Sequence, residues 1–220
     1  MSPEDIKTLL SGKDRYAEDS VELLEECVKD QLAKGSYSLD ANLALLKLYL
    51  LFPDRTNMEV VQGVLLKALM AFPATDFSLC MYLIPEKYHP ELKDVTELAS
   101  QLELAKFKSF WKMAEEDGRK EALKKATGWE SAVRGFMAGV ISSTYRSVKL
   151  SDLLSLLNCS DLDAVSKDQG WSRSKEDKNV VIVNTEKFES KRLAEAKAMK
   201  EPEHMTLDQY RKLFAAATNA

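Results

Sequence analysis

The sequence predicts a mainly α protein, a HEAT-like helical-repeat stack followed by a winged-helix domain with a small β-hairpin. Three observations predict it. Glycine and proline are scarce, eight and six in 220 residues, and they fall at intervals that punctuate helices. The dipeptide Phe-Pro closes two apolar helical patterns, at Phe52-Pro53 and Phe72-Pro73. After Gly128 the pattern becomes helix, strand, helix, helix, strand, strand, the order of a winged helix. The expected divisions are a helical-repeat domain over 1–127, a winged-helix domain over 128–184 and a C-terminal helical tail over 185–220.

The elements follow in order. A first helix runs from Pro3 to Leu10, with Ser2 as N-cap, Pro3 at the first helical position and a stop at Gly12. A second begins at Asp19 or Ser20, carries Val21, Leu24, Val28 and Leu32 on one face, and ends at Gly35. Its other face (Glu22, Glu25, Glu26, Lys29, Asp30) is polar, so it lies on the outside of a bundle. From Asp40 to Phe52 apolar residues surround a single charge, Lys47, and a helix apolar nearly all round must be covered on several sides. Asn57 caps a fourth helix with the stripe Val61, Val64, Leu65, Ala68, Leu69 and Phe72. Proline stops the third and fourth helices, and the preceding phenylalanine can pack back on the last turn. The shared ending reads as a weak repeat of helix plus turn. Further helices are expected over Asp76–Tyr88, Pro90–Leu104 and the lysine-rich Lys106–Lys125.

The helix Trp129–Tyr145 places Val133, Phe136, Met137, Val140 and Ile141 on one face. Ser147 to Leu150 reads as extended, followed by short helices Ser151–Leu157 and Asp161–Gln169, the latter stopped by Gly170. Trp171 to Ser174, a polar turn over Lys175 to Lys178, and the β-branched run Val180 to Val183 read as a hairpin. Beyond Glu186 a charged helix reaches Lys200, Pro202 breaks it, and Thr206–Ala216 carries Leu207, Tyr210, Leu213 and Phe214 on one side. Such a terminal stripe has too little surface of its own and must dock on the body or on another chain.

Composition narrows the function. With 45% hydrophobic and 30% charged residues the chain can bury a core without disulfides or metals. Cys27, Cys80 and Cys159 form no CxxC pair and read as reduced core thiols of a cytosolic protein. No apolar run reaches the roughly 18 residues of a membrane span, and the N-terminus is acidic where a signal peptide is basic, so no membrane role is expected. The formal net charge of −4 disfavours a nucleic-acid module, whose affinity comes largely from phosphate neutralisation. Proteins are the better class of partner.

Catalysis has little to work with. His89 and His204 lie in connectors outside any nucleophile or metal motif and read as solvated surface residues. No P-loop, dinucleotide fingerprint, HExxH or GxSxG is present. Glu115, Glu116 and Asp117 point to different sides of a helix and read as a solvated helix end. No enzyme activity, metal or cofactor is expected. Gly135 and Gly139 form a GxxxG, read here as tight packing inside the domain because the membrane context is missing. The helix a winged-helix protein would place in DNA, Asp161–Gln169, carries Asp161, Asp163 and Asp168 against Lys167, which disfavours DNA readout. Lys106, Lys108 and Lys112, with Arg173, Lys175 and Lys178 of the wing, are the candidates for weak contact with RNA phosphates; the bland reading is a solvated face.

Longer strings are more specific than periodicity. Tyr37 to Tyr49 (YSLDANLALLKLY), Leu65 to Leu69, Pro73 to Cys80, Gly128 to Arg134 (GWESAVR), Thr144-Tyr145 and Gly170-Trp171 resemble the k-subunit family of eukaryotic translation initiation factor 3, in order over about residues 9 to 184. The resemblance implies a PCI-like architecture, related to subunits of the proteasome lid and the signalosome. It implies a non-enzymatic, cytoplasmic assembly subunit acting in translation initiation on the small ribosomal subunit, with the l subunit as neighbour. It also implies that winged-helix sheets of adjacent subunits pair edge to edge and that C-terminal helices join a bundle. The expected interface residues are accordingly Val180, Val181, Ile182 and Val183, read as an exposed sheet edge, and Leu193, Tyr210, Leu213 and Phe214 of the tail. The alternatives are a winged-helix nucleic-acid binder and a PCI-type subunit of the lid or signalosome.

Overall fold

The computed structural model describes residues 3–174, 177 and 179–183. Helix α1 spans Pro3–Ser11. Helix α2 spans Ser20–Lys34 and stops where Gly35 takes φ 72°, a left-handed conformation that glycine adopts at least cost. The Gly35 N–H closes the turn on the Gln31 carbonyl at 3.1 Å. Helix α3, Leu39–Leu51, is the predicted all-round apolar helix, with Ala41, Ala44, Leu45, Leu46, Leu48 and Tyr49 buried. It is covered by α1, by α2 and by α5, which spans Asp76–Tyr82. Helix α4, Met58–Met70, begins where the Asn57 side chain accepts the Glu59 N–H at 3.1 Å, the predicted cap. It passes so close to α2 that a Cβ placed on Gly63 would stand 2.8 Å from Leu32 Cδ1.

The two Phe-Pro endings are not equivalent. Pro53 opens a 3-10 turn over Pro53–Arg55. After α4 the Ala71 and Phe72 amides bond the Ala68 and Leu69 carbonyls, and the Phe72 ring packs against Phe77 at 6.2 Å and Phe136 at 5.4 Å between centroids. The same dipeptide thus ends two helices with different turns. The expected helix Asp76–Tyr88 is also shorter: α5 ends at Tyr82, and Pro85 leads into a 3-10 segment, Glu86–Leu92, because proline denies the ladder an amide donor. Helix α6 is Lys93–Glu103.

The segment Lys106–Lys125, expected as one helix, is two: α7, Phe107–Ala114, and α8, Asp117–Lys124. The stripe Phe107, Phe110, Trp111 and Ala114 is buried, but its continuation in phase reaches Gly118 and Glu121, which are exposed. The chain therefore re-aims at Glu116, whose backbone is extended (φ −61°, ψ 134°), so that Leu123 turns inward instead. Arg119 holds α8 against α6, pairing with Asp94 at 2.8 Å and Glu97 at 2.6 Å while only 12% of its side chain is exposed.

The winged-helix elements follow the predicted order. Helix α9 is Trp129–Thr144, β1 Ser147–Lys149, α10 Leu150–Leu157, α11 Asp163–Gln169, β2 Ser172–Arg173 and β3 Val180–Ile182. The strands form one antiparallel sheet in the order β1-β3-β2, pairing Val148 with Val181 and Ser172 with Ile182. Gly170, at φ 70°, turns the chain from α11 into the buried Trp171, whose Nε1–H donates to Ser142 Oγ on α9 at 2.9 Å.

Candidate interaction surfaces

The sheet corrects the expected edge. Strand β3 is central, bonded to β1 on one side and β2 on the other, so Val180 to Val183 cannot offer a free row of backbone groups. Val181 and Val183 are core residues at 3% and 0% exposure, while Ile182 is 40% exposed. The misreading arose because a β-branched run marks a strand without giving its place in the sheet, and central strands are the more apolar ones. The edges belong to β1 and β2, of three and two residues, and such short edges limit indiscriminate pairing. On the outer face Ser147 and Ser172 both stand in register with Ile182, giving one exposed isoleucine framed by small polar neighbours.

The tail candidates Leu193, Tyr210, Leu213 and Phe214 lie outside the described residues, as do Lys175, Lys178 and His204. Lys106, Lys108 and Lys112 are exposed around α7, whose inner stripe faces α6 and α10. Arg173 lies on β2, lining a notch of about 330 Å³ with Lys167, Ser166 and Ser172. The α7 lysines take no part in that notch, so the candidate cations among the described residues are divided between two elements.

A junction between the stack and the winged helix is the most constructed polar feature. The Trp111 Nε1–H on α7 donates to the Leu156 carbonyl at 3.0 Å. Arg134 on α9 donates to the Leu157 and Asn158 carbonyls at 3.1 and 3.2 Å. Its guanidinium lies 5.1 Å above the Trp111 ring, and Glu130 pairs with it at 3.0 Å. The last carbonyls of α10, which have no partner within the helix, are thus satisfied by an indole and a guanidinium, and the cation sits at the negative end of the helix dipole. Trp129 packs beside Trp111 at 5.9 Å. Trp129, Glu130 and Arg134 stand in the string GWESAVR, but the string does not reveal this role, since the partners of Arg134 and Trp111 are backbone oxygens far along the chain.

The side chains associated with chemistry are otherwise engaged. Burial pushes the Cys80 thiol up to about 12 with a contribution from Asp76, so it stays protonated at neutral pH. Cys27 is buried as expected, while Cys159 is only half-buried, and burial raises its thiol too. His89, expected to be solvated, is half-buried and donates its Nε2–H to the Ile84 carbonyl at 3.0 Å, closing the turn around Pro85. Gly135 and Gly139 are not tightly packed: both are exposed, and a Cβ at either would meet nothing within 4 Å. The GxxxG spacing places both glycines on one side of α9, in an open groove flanked by Phe72 and Pro73 rather than against a packed helix. Glu115, Glu116 and Asp117 are exposed where α7 gives way to α8. Among the described residues no three His, Cys, Asp or Glu side chains gather in a metal-binding arrangement, and no helix is long and apolar enough to cross a membrane.

A family model described as CSN8/PSMD8/EIF3K matches residues 55–192. The chain belongs to the CSN8/PSMD8/EIF3K family. The stretch shared with this family runs from the turn before α4 through the whole sheet, so it includes the Trp111–Arg134 junction and the central strand. Curated relatives extend the likeness toward the N-terminus. The chain is 35% identical over 196 residues to a protein of Nematostella vectensis, covering 86% of this chain and 89% of that protein. It is 32% identical over 195 residues to proteins of Drosophila persimilis and Drosophila grimshawi, covering 86% of this chain and 87% of each. All three are named eukaryotic translation initiation factor 3 subunit K. The mainly α, PCI-like architecture expected from the sequence is that of the CSN8/PSMD8/EIF3K family.

Proposed function

We propose that this chain is a non-catalytic k-type subunit of eukaryotic translation initiation factor 3, a protein–protein assembly module of the cytoplasm. The observation that carries the reading is a match spanning 86% of the chain and 87–89% of relatives that bear that name. The geometry supports it: Cys27 and Cys80 are buried and His89 is bonded to a backbone carbonyl, while the sheet face at Ile182 and the short strands β1 and β2 lie open. Its direct neighbour is the l subunit, reached through the outer sheet face around Ile182 and the short edges β1 and β2. The small ribosomal subunit is met through the complex.

Recovery of the tagged chain from cytosol followed by mass spectrometry tests the assignment. The other initiation factor 3 subunits are the expected co-purifying set, and proteasome-lid or signalosome subunits in their place overturn it. Within that experiment Ile182→Lys lowers recovery of the l subunit at least tenfold, with circular dichroism unchanged because the residue is exposed. Undiminished recovery removes the sheet face from the interface.

A further inference from the structure

The notch between α11 and β2 presents two cations without counter-ions over an apolar floor. Its volume is about 330 Å³. Leu162, Trp171 and Val181, all buried, form the floor, and the rim carries Ser166 and Lys167 from α11 with Ser172 and Arg173 from β2.

Local structure brings the two cations to one place. Gly170 ends α11, and the Trp171 N–H closes on the Ser166 carbonyl at 2.9 Å, which sets Lys167 in the last helical turn across from the start of β2. Arg173 stands in register with Val181, and residues directly opposite in an antiparallel pair share a face. Because Val181 is buried, Arg173 leaves β2 on the core side of the sheet, toward the notch, and not on the outer face with Ile182. Among the described residues neither Lys167 nor Arg173 has an ion-pair or hydrogen-bond partner, and no acidic side chain lines the notch.

This arrangement selects one class of occupant. A carboxylate accepts hydrogen bonds from a guanidinium, an ammonium and hydroxyls together, and the floor favours an aliphatic or aromatic group attached next to it. A nucleic-acid backbone fits less well: it draws its affinity from many cations, makes no use of an apolar floor, and would meet a helix that also carries Asp163 and Asp168.

We propose that the notch receives a carboxylate borne next to an apolar side chain on a protein partner. Ser172 is paired with Ile182, so the notch adjoins the sheet face proposed above for the l subunit. The proposal rests on that reading of the face as an assembly surface and adds the chemistry that the partner presents there.

Titration of the isolated full chain, isotope-labelled and followed by NMR, tests it. The probe is N-acetyl-leucine, a carboxylate beside an aliphatic side chain, whose roughly twelve non-hydrogen atoms suit a millimolar Kd. Saturable shifts are expected at the amides of Lys167, Ser172 and Arg173. N-acetyl-leucinamide, which lacks the charge, and acetate, which lacks the side chain, bind at least tenfold more weakly. Lys167→Gln combined with Arg173→Gln, both at exposed positions, keeps the dispersed spectrum of the folded chain and weakens N-acetyl-leucine at least tenfold. The proposal is overturned if these amides show no saturable shift, if the amide or acetate binds as well as the acid, or if the double variant binds undiminished. A uridylate octamer that shifts the same amides where N-acetyl-leucine does not also overturns it and assigns the notch to RNA. Because the chain is titrated alone, a failure here leaves the co-purification result standing, and the reverse holds as well.

Discussion

Asn42 lies in α3, the helix apolar nearly all round, and is fully buried. It is tolerated because Gln31 on α2 answers it reciprocally: Gln31 Nε2 donates to Asn42 Oδ1 at 2.9 Å, and Asn42 Nδ2 donates to Gln31 Oε1 at 3.3 Å. Gln31 Oε1 also accepts the Ser38 N–H at 3.0 Å, tying the α2–α3 turn to the same pair. Among the described residues Lys67 on α4 has no such partner. It is 3% exposed, and burial holds its ammonium below the usual lysine value, since the charged form is the one desolvation disfavours. The unfolded chain keeps the ordinary value and binds more protons between the two pKa values, so stability rises with pH across that window and the penalty is complete below it. Lys67→Met is therefore expected to raise the melting temperature at pH 7 by a few degrees, about 1 kcal/mol. It should also abolish the alkaline gain in stability, as thermal unfolding at several pH values will reveal. A melting temperature unchanged or lowered at pH 7 contradicts the account.

At the scale of elements, helix starts and stops were the most legible features, because they are written in local chemistry. Asn57, Gly35 and Gly170 act where they stand in the chain, and α2, α4 and α9 have bounds close to those expected. Breaks without glycine were less visible. The α6–α7 turn is made by Ala105 at φ 53°, with the Lys106 N–H bonded to the Gln101 carbonyl at 2.9 Å, a closing pattern that ordinarily employs glycine. An alanine there costs about 1 kcal/mol. Ala105→Gly is predicted to recover about that amount, measured as a higher denaturant midpoint with unchanged slope; a lower midpoint shows that the turn is not strained. The α7–α8 break was marked locally only by Asp117-Gly118, which stand at the start of α8 rather than in the turn itself, and it was the phase of the buried stripe that required the chain to turn at Glu116. Gly63 likewise reads as a minor flaw in a helix until α2 is found against it.

Across the whole molecule, the stack and the winged helix meet through α7, α9 and α10, and through the aromatic run from Phe77 and Phe72 to Phe136 and Phe107. Trp111 is buried in the stack and hydrogen-bonds the winged helix through the Leu156 carbonyl. Trp111→Phe leaves the Leu156 carbonyl without its donor and is expected to lower stability by about 1 kcal/mol. Hydrogen exchange should accelerate in α10 while the amides of α2 and α4 stay protected. Uniform acceleration through both regions would instead mark the molecule as one cooperative unit.

The sequence by itself determined the helical class, most element boundaries, the order of the winged helix and the family, since propensity, capping and residue strings are local and need no partner. Only the tertiary structure decided that β3 is central, that Gly135 and Gly139 meet no close neighbour among the described residues, that α7 and α8 are separate and that Arg134 and Trp111 close the end of α10. These depend on which surfaces meet across long sequence separations. A valine run or a glycine pair is compatible with an edge or a centre, with a tight contact or an empty groove, until the neighbouring element is in place.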